Sequence, residues 1–171
     1  PPRSTLFPYT TLFRSMGDYN RSTKKIKFEE ITPDVMQAIQ KYIELHNLGD
    51  ILSNVSHCVI STSDKIKKGL FGGPGPNLLV QTVILTDRWL ILADRVDQNA
   101  IYIKSMQLAD IVVTDYQQTA FHGVIPDSGL NLVGKFTDAS EQGTMFMPLG
   151  EDEAGDEFKE AVIKSVQEAK K

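Results

Sequence analysis

Apolar residues in this chain come in short runs separated by polar punctuation, and the clearest case is Val80–Arg95, VQTVILTDRWLILADR. Two runs, Val80–Leu85 and Trp89–Ala93, flank the polar trio Thr86-Asp87-Arg88. Each is too short for a typical helix and rich in Val, Ile, Leu and Trp, which predicts two buried strands. Three polar residues between them predict a tight antiparallel hairpin.

The same pattern extends in both directions. Asn54–Lys67 reads as a strand in which Val55, His57, Val59 and Ser61 alternate with Ser56, Cys58, Ile60 and Thr62. Neither set is cleanly polar, so this strand is expected to be covered on both faces. After the hairpin, Ala100–Ser105, Ile111–Tyr116, Gly129–Phe136 and Thr144–Leu149 follow as strands, giving seven from Asn54. Gln117–Ser128 is a longer connection that contains Phe121 and His122.

Two helices are predicted. Thr32-Pro33-Asp34 is a helix start, with Thr32 able to cap, Pro33 suited to the first position and Asp34 complementing the dipole. Val35, Ile39, Tyr42, Ile43 and His46 recur at helical spacing until Asn47-Leu48-Gly49 ends the run. Glu151–Lys171 closes the chain, with Ala154, Phe158, Ala161, Val162, Ser165, Val166 and Ala169 on one face. Gly155 costs about 1 kcal/mol against alanine there, at a position where fraying is tolerated. Met16–Lys27 is polar, with Lys24, Lys25 and Lys27 clustered, and reads as a solvated arm or a basic contact for an acidic surface.

Composition narrows the function classes. The 171 residues hold 18 basic and 22 acidic side chains. Thr5–Ser15 resembles the in-frame translation of a sequencing-library adapter, so residues 1–15 are expected to be a non-native leader ahead of Met16. Without Arg3 and Arg14 the basic count falls from 18 to 16 against 22 acidic, a net charge of −6, which disfavours general nucleic-acid binding. Every apolar run is strand-sized, and none predicts a transmembrane helix. The single cysteine, Cys58, leaves no internal disulfide and suits a reducing, cytoplasmic setting.

Chemistry-bearing motifs are sparse. Gly69–Asn77, GLFGGPGPN, packs four glycines and two prolines into nine residues. It lacks the Gly-Lys-Ser/Thr ending of a P-loop, and a hairpin follows where a helix is needed. Asp127-Ser128-Gly129 is similar to the catalytic turn of aspartic proteases, but a proton-sharing pair needs a second such turn. His46, His57 and His122 are scattered and form no metal-ligand spacing. No enzyme, metal or cofactor is expected.

The chain from about Asn54 to Ala169 resembles the bacterial pleckstrin-homology (PH)-like domains. The resemblance is carried by Leu85-Thr86-Asp87-Arg88-Trp89-Leu90-Ile91-Leu92 and by Ala109-Asp110-Ile111. It implies a mainly β fold: a seven-stranded, half-open antiparallel barrel capped by a C-terminal amphipathic helix. Residues 16–50 then form an N-terminal arm and an extra helix, and residues 51–171 form the PH-like domain. Phosphoinositide-binding members grip phosphate with basic residues at the end of the first strand and on the second. Lys65, Lys67 and Lys68 supply the first group, whereas Val80–Leu85 offers only Gln81 and Thr82, and Arg88 lies at the far turn.

A non-enzymatic recognition module is therefore expected, one that binds a protein partner or self-associates. The alternative is peripheral attachment to anionic membrane through the Lys65–Asn77 loop. There Lys65, Lys67 and Lys68 would each contribute about 1 kcal/mol at an anionic surface. Leu70 and Phe71 would insert as an apolar wedge.

Overall fold

A computed structural model of the chain describes residues 19–66 and 75–171. The expected leader at residues 1–15 lies outside the described residues. In chain order the elements are β1 (Tyr19–Ile26), α1 (Pro33–Leu45), β2 (Val55–Lys65), β3 (Leu78–Thr86), β4 (Trp89–Val96) and β5 (Ile101–Gln107). Then come β6 (Val112–Asp115), β7 (Gly129–Lys135), β8 (Gln142–Pro148) and α2 (Glu153–Glu168). The fold is mainly β. Five strands form one antiparallel sheet in the order β1-β2-β3-β4-β5, and β6-β7-β8 form a second.

The predicted hairpin is present as β3–β4, with Leu85 opposite Leu90 at its closed end. The Thr86 hydroxyl oxygen accepts from the backbone N–H groups of Arg88 (3.2 Å) and Trp89 (2.9 Å), so the turn uses Thr86 as its anchor. Val59, Val83, Leu85, Leu90, Leu92 and Met106 form the inner face of the large sheet. They pack on Leu130, Leu132, Met145 and Met147 of the second sheet and on Phe158, Val162 and Val166 of α2. Cys58, Ile84, Ile91 and Ala93 form the outer face, covered by Val35 and Ile39 of α1 together with Ile26, Ile31 and Ile51. Double cover is why β2, β3 and β4 read as near-continuous apolar runs.

One expectation is corrected. Tyr19–Ile26, within the stretch read as a solvated arm, is a strand paired residue for residue with β2, from Tyr19↔Lys65 to Ile26↔Cys58. It carries no hydrophobic alternation because the groups it meets are largely polar. The strand count among the described residues is therefore eight, with the seven expected strands beginning at Val55. The sheets do not close into a barrel. Besides packing face to face, they join at one corner, where Met106 bridges Phe136 and the Thr137 N–H donates to the Ser105 carbonyl at 3.0 Å.

Both helices are present, with details that depend on their surroundings. Thr32 occupies the N-cap of α1 but makes no cap bond. Its hydroxyl donates instead to Asp34, whose carboxylate accepts the Val35 N–H at 2.9 Å. That hydroxyl and the Arg95 guanidinium beside it hold the Asp34 carboxyl down at about 2. The α2 N-cap is Asp152, which accepts the Gly155 N–H at 2.8 Å with one carboxylate oxygen and the Thr23 N–H at 2.6 Å with the other. This carboxylate ties the end of the chain to its first strand.

Gly155 was expected to be tolerated as a fraying position. It is buried, and a Cβ there would overlap the Gly150 carbonyl. A Cβ at Gly150 would overlap the Asp152 carboxylate and come within 2.8 Å of the Ser22 Cα. Gly150→Ala and Gly155→Ala are each expected to cost about 2 kcal/mol or more, as overpacking against backbone does. At this chain length that lowers Tm by roughly 4–8 °C. Gly123→Ala, where the nearest atom to a new Cβ is 3.9 Å away, is the control and should melt with the wild type.

Candidate functional site

The inner face of the large sheet divides in two. Toward one end it is the apolar core described above; toward the other it is polar on every strand. Thr23, Ser61, Gln81, Asp94 and Tyr102 stand opposite one another across β1 to β5, and Arg21 and Ser63 form the next row. Thr23, Ser61, Ser63, Gln81 and Asp94 are all buried. A buried polar belt of this kind is tolerated when its groups satisfy one another.

Most of them do. The Gly150 N–H donates to the Thr23 hydroxyl oxygen at 2.7 Å, and the Ser61 hydroxyl donates to the Pro148 carbonyl at 2.7 Å. The Gln81 amide donates to one Asp94 oxygen at 2.6 Å, and the Lys104 ammonium donates to the other at 3.0 Å. Among the described residues the Gln81 Oε1 has no hydrogen-bond partner. The belt thus fastens the large sheet to the residues that lead from β8 into α2.

At its edge stands an ion pair. Arg21 donates through Nε and one terminal nitrogen to the two Asp127 oxygens, at 2.5 and 2.7 Å. Its second terminal nitrogen donates to the Ser63 hydroxyl at 2.5 Å. The guanidinium lies 5.1 Å from the Tyr19 ring centroid and 5.5 Å from that of Phe146. The two side chains are only 9% and 4% exposed. A planar fork bound at both carboxylate oxygens and packed between rings is geometry that lysine cannot reproduce.

This pair decides the fate of the Asp-Ser-Gly turn. Asp127 is bound at both oxygens by a guanidinium, and among the described residues no second carboxylate is paired with it. The three histidines stay apart, each against a different aromatic ring: His46 on Tyr42 (4.5 Å), His57 on Phe158 (6.5 Å) and His122 on Tyr116 (6.2 Å). Among the described residues no group of three His, Cys, Asp or Glu side chains is placed to hold a metal ion. No described helix is long and apolar enough to cross a membrane. Burial, with a smaller push from Glu29, raises the Cys58 thiol to about 11, so it packs as a small apolar group rather than reacting as a thiolate.

Of the five residues singled out for ligand contact, only Lys65 falls within the described residues. It is 3% exposed, its ammonium donates to the Gly75 carbonyl at 3.3 Å, and it has further interactions besides. Lys67, Lys68, Leu70 and Phe71 lie outside the described residues. Arg88 is exposed at the β3–β4 turn, 4.0 Å from Asp87.

The structure brings forward a different surface. Phe121 and Val124, in the connection between β6 and β7, are 69% and 79% exposed, with Ile125 beside them partly exposed. The turn that carries them is pinned from within. The Ile125 N–H donates to the Phe121 carbonyl at 2.9 Å, and the Tyr116 hydroxyl donates to the Ile125 carbonyl at 2.9 Å. Two residues further on, Asp127 anchors the turn to Arg21. The sequence signal for this surface was Phe121 and Val124 within a polar connection. Nothing in the sequence marked the pairing of Arg21 with Asp127, 106 residues away.

No family model, curated protein or solved structure matches the chain.

Removing one partner of a buried pair strands the other charge. Arg21→Met and Asp127→Leu are each expected to cost about 3–5 kcal/mol, and together much less than their sum, because the double variant buries no lone charge. Urea denaturation of the two singles and the double checks this as a mutant cycle. A second expectation concerns His57, whose imidazole burial, helped by Lys25, holds below its usual value against the opposing pull of Glu157. The unfolded chain then takes up this proton first, starting near about pH 6.5. Stability is present above that pH and falls as the pH drops toward the lower folded value. His57→Gln should flatten that part of the stability–pH curve measured by denaturant titration.

Proposed function

We propose that this chain is a non-enzymatic, PH-like recognition module that acts by contact with another protein chain, either a partner or a second copy of itself. Support for the PH-like reading comes from the arrangement after Val55. Four strands and then three, followed by one amphipathic helix, agree with the seven strands and capping helix that the resemblance implies. The reading includes a cytoplasmic setting and no cofactor.

The observation that carries protein recognition is the pinned apolar turn Phe121–Ile125. The backbone that carries these exposed side chains is already held by Tyr116 and by the Arg21–Asp127 pair, so docking does not have to order the turn itself. Aromatic and aliphatic anchors on a rigid mount are the usual source of binding energy at protein interfaces. The membrane alternative draws on Lys67, Lys68, Leu70 and Phe71, with Lys65 withdrawn into the protein.

Sedimentation velocity over a wide concentration range, at low and high salt, tests this reading alongside vesicle co-sedimentation. The expected result is rapid, reversible self-association of the folded chain that persists at high salt and is lost in Phe121→Ser/Val124→Ser, whose melting temperature stays at the wild-type value. Binding to anionic vesicles that weakens with salt and disappears in Lys67→Ala/Lys68→Ala would replace protein recognition with membrane attachment.

A further inference from the structure

β1 and α1 relate to the remainder of the protein as a ligand relates to a receptor. They precede the seven-stranded body and join it through one connection, residues 46–54. Almost everything that holds them is supplied by residues beyond that connection. β1 pairs along its length with β2. Arg21 is bound by Asp127 and Ser63, Thr23 by Gly150 and Asp152, and Asp34 by Arg95. The Tyr42 hydroxyl meets that of Ser105 at 3.3 Å, and Ile39 is fully buried against the outer face of the large sheet.

The receptor is specific. The exposed edge of β2 would accept any strand through its backbone, as sheet edges do. The buried carboxylate of Asp127 and the Gly150–Asp152 corner select one pattern: arginine, then threonine two residues later on the same face. Arg21-Ser22-Thr23 has that pattern, and every other copy of the chain carries it.

The connection is built to turn back. Asn47, Gly49 and Asn54 all take left-handed backbone conformations, with φ of 51°, 67° and 57°. Asn47 and Asn54 are of the non-glycine type that tolerates this region, and the Leu48 N–H closes the end of α1 on the Ile43 carbonyl at 3.1 Å, so the return to β2 is specified by sequence. A connection that extends to a second copy gives up these turns and the burial of Ile51, while the contacts that β1 and α1 themselves make with the body are reproduced in the neighbour. Exchange of an identical element needs no new interface, and the connecting segment decides its balance.

We propose that β1–α1 is an exchangeable segment, seated on its own body in the monomer and passed reciprocally to a second copy in a dimer. The inference deepens the self-association part of the function proposed above and rests on it. It differs from docking through Phe121 and Val124, because exchange requires β1 and α1 to detach and so forms slowly but survives dilution.

Cysteines split between two copies test it. Ser22 and Thr62 are register partners across β1 and β2, and such pairs have Cα separations within disulfide reach. A Ser22→Cys chain and a Thr62→Cys chain, both with Phe121→Ser/Val124→Ser, are unfolded, refolded together and oxidised. Neither chain can close the bond within itself. The expected product is a covalent heterodimer on non-reducing gels, several-fold above the yield when Ser22→Cys is refolded with a partner that carries only Cys58. Lys24→Cys with Ile60→Cys, the next pair on the same face, reads the same contact if either first variant fails to fold. No heterodimer above the control from either pair overturns the exchange. If the chain with its native Phe121 and Val124 still dimerises in sedimentation, self-association stands without exchange; if it does not, both fall together.

Discussion

The structure depends on one constraint: the central strands β2, β3 and β4 are apolar on both faces, and a sheet of that kind must be covered twice. Each buried aliphatic side chain contributes about 1.5–3 kcal/mol only when the cover on its own face is in place. The second sheet and α2 provide one cover, and α1 provides the other. Neither cover is optional, which explains why a helix outside the seven-stranded body packs as closely as one inside it.

Covering the sheet leaves its polar belt to be satisfied away from water. Arg21 and Asp127 meet across the gap between the first strand and the second sheet, and Thr23 meets the corner that opens α2. Hydrophobic burial is indifferent to direction, whereas these bonds are directional. They set the register of β1 and the position of the connection that ends at Asp127. The glycines at 150 and 155 belong to the same device, because the corner closes only where no Cβ intrudes.

The functional reading follows from what this architecture leaves on the surface. The chemistry-bearing side chains are absorbed in holding the protein together: Asp127 by arginine, Asp94 by lysine and glutamine, and Cys58 by the outer core. An apolar turn remains outside, mounted on the same ion pair that locks the first strand. The first strand and the exposed turn are thus held by one and the same contact.

What the sequence determined by itself was the periodic part. The β3–β4 hairpin, the double cover of β2, seven strands from Val55, and both helices were legible because burial writes itself as hydrophobic spacing, which is local along the chain. Tyr19–Ile26 was not legible as a strand. Its inner-face residues Arg21 and Thr23 are polar and look solvated until Asp127 and Gly150 stand beside them. The capture of Asp127 escaped for the same reason, and the burial of Lys65 against Gly75 and the closeness of Gly155 to Gly150 escaped because loop geometry leaves no hydropathy signal. A polar or small residue keeps the same place in a hydropathy pattern whether water or another part of the protein satisfies it. Only the tertiary structure, which brings such positions together, decides between the two.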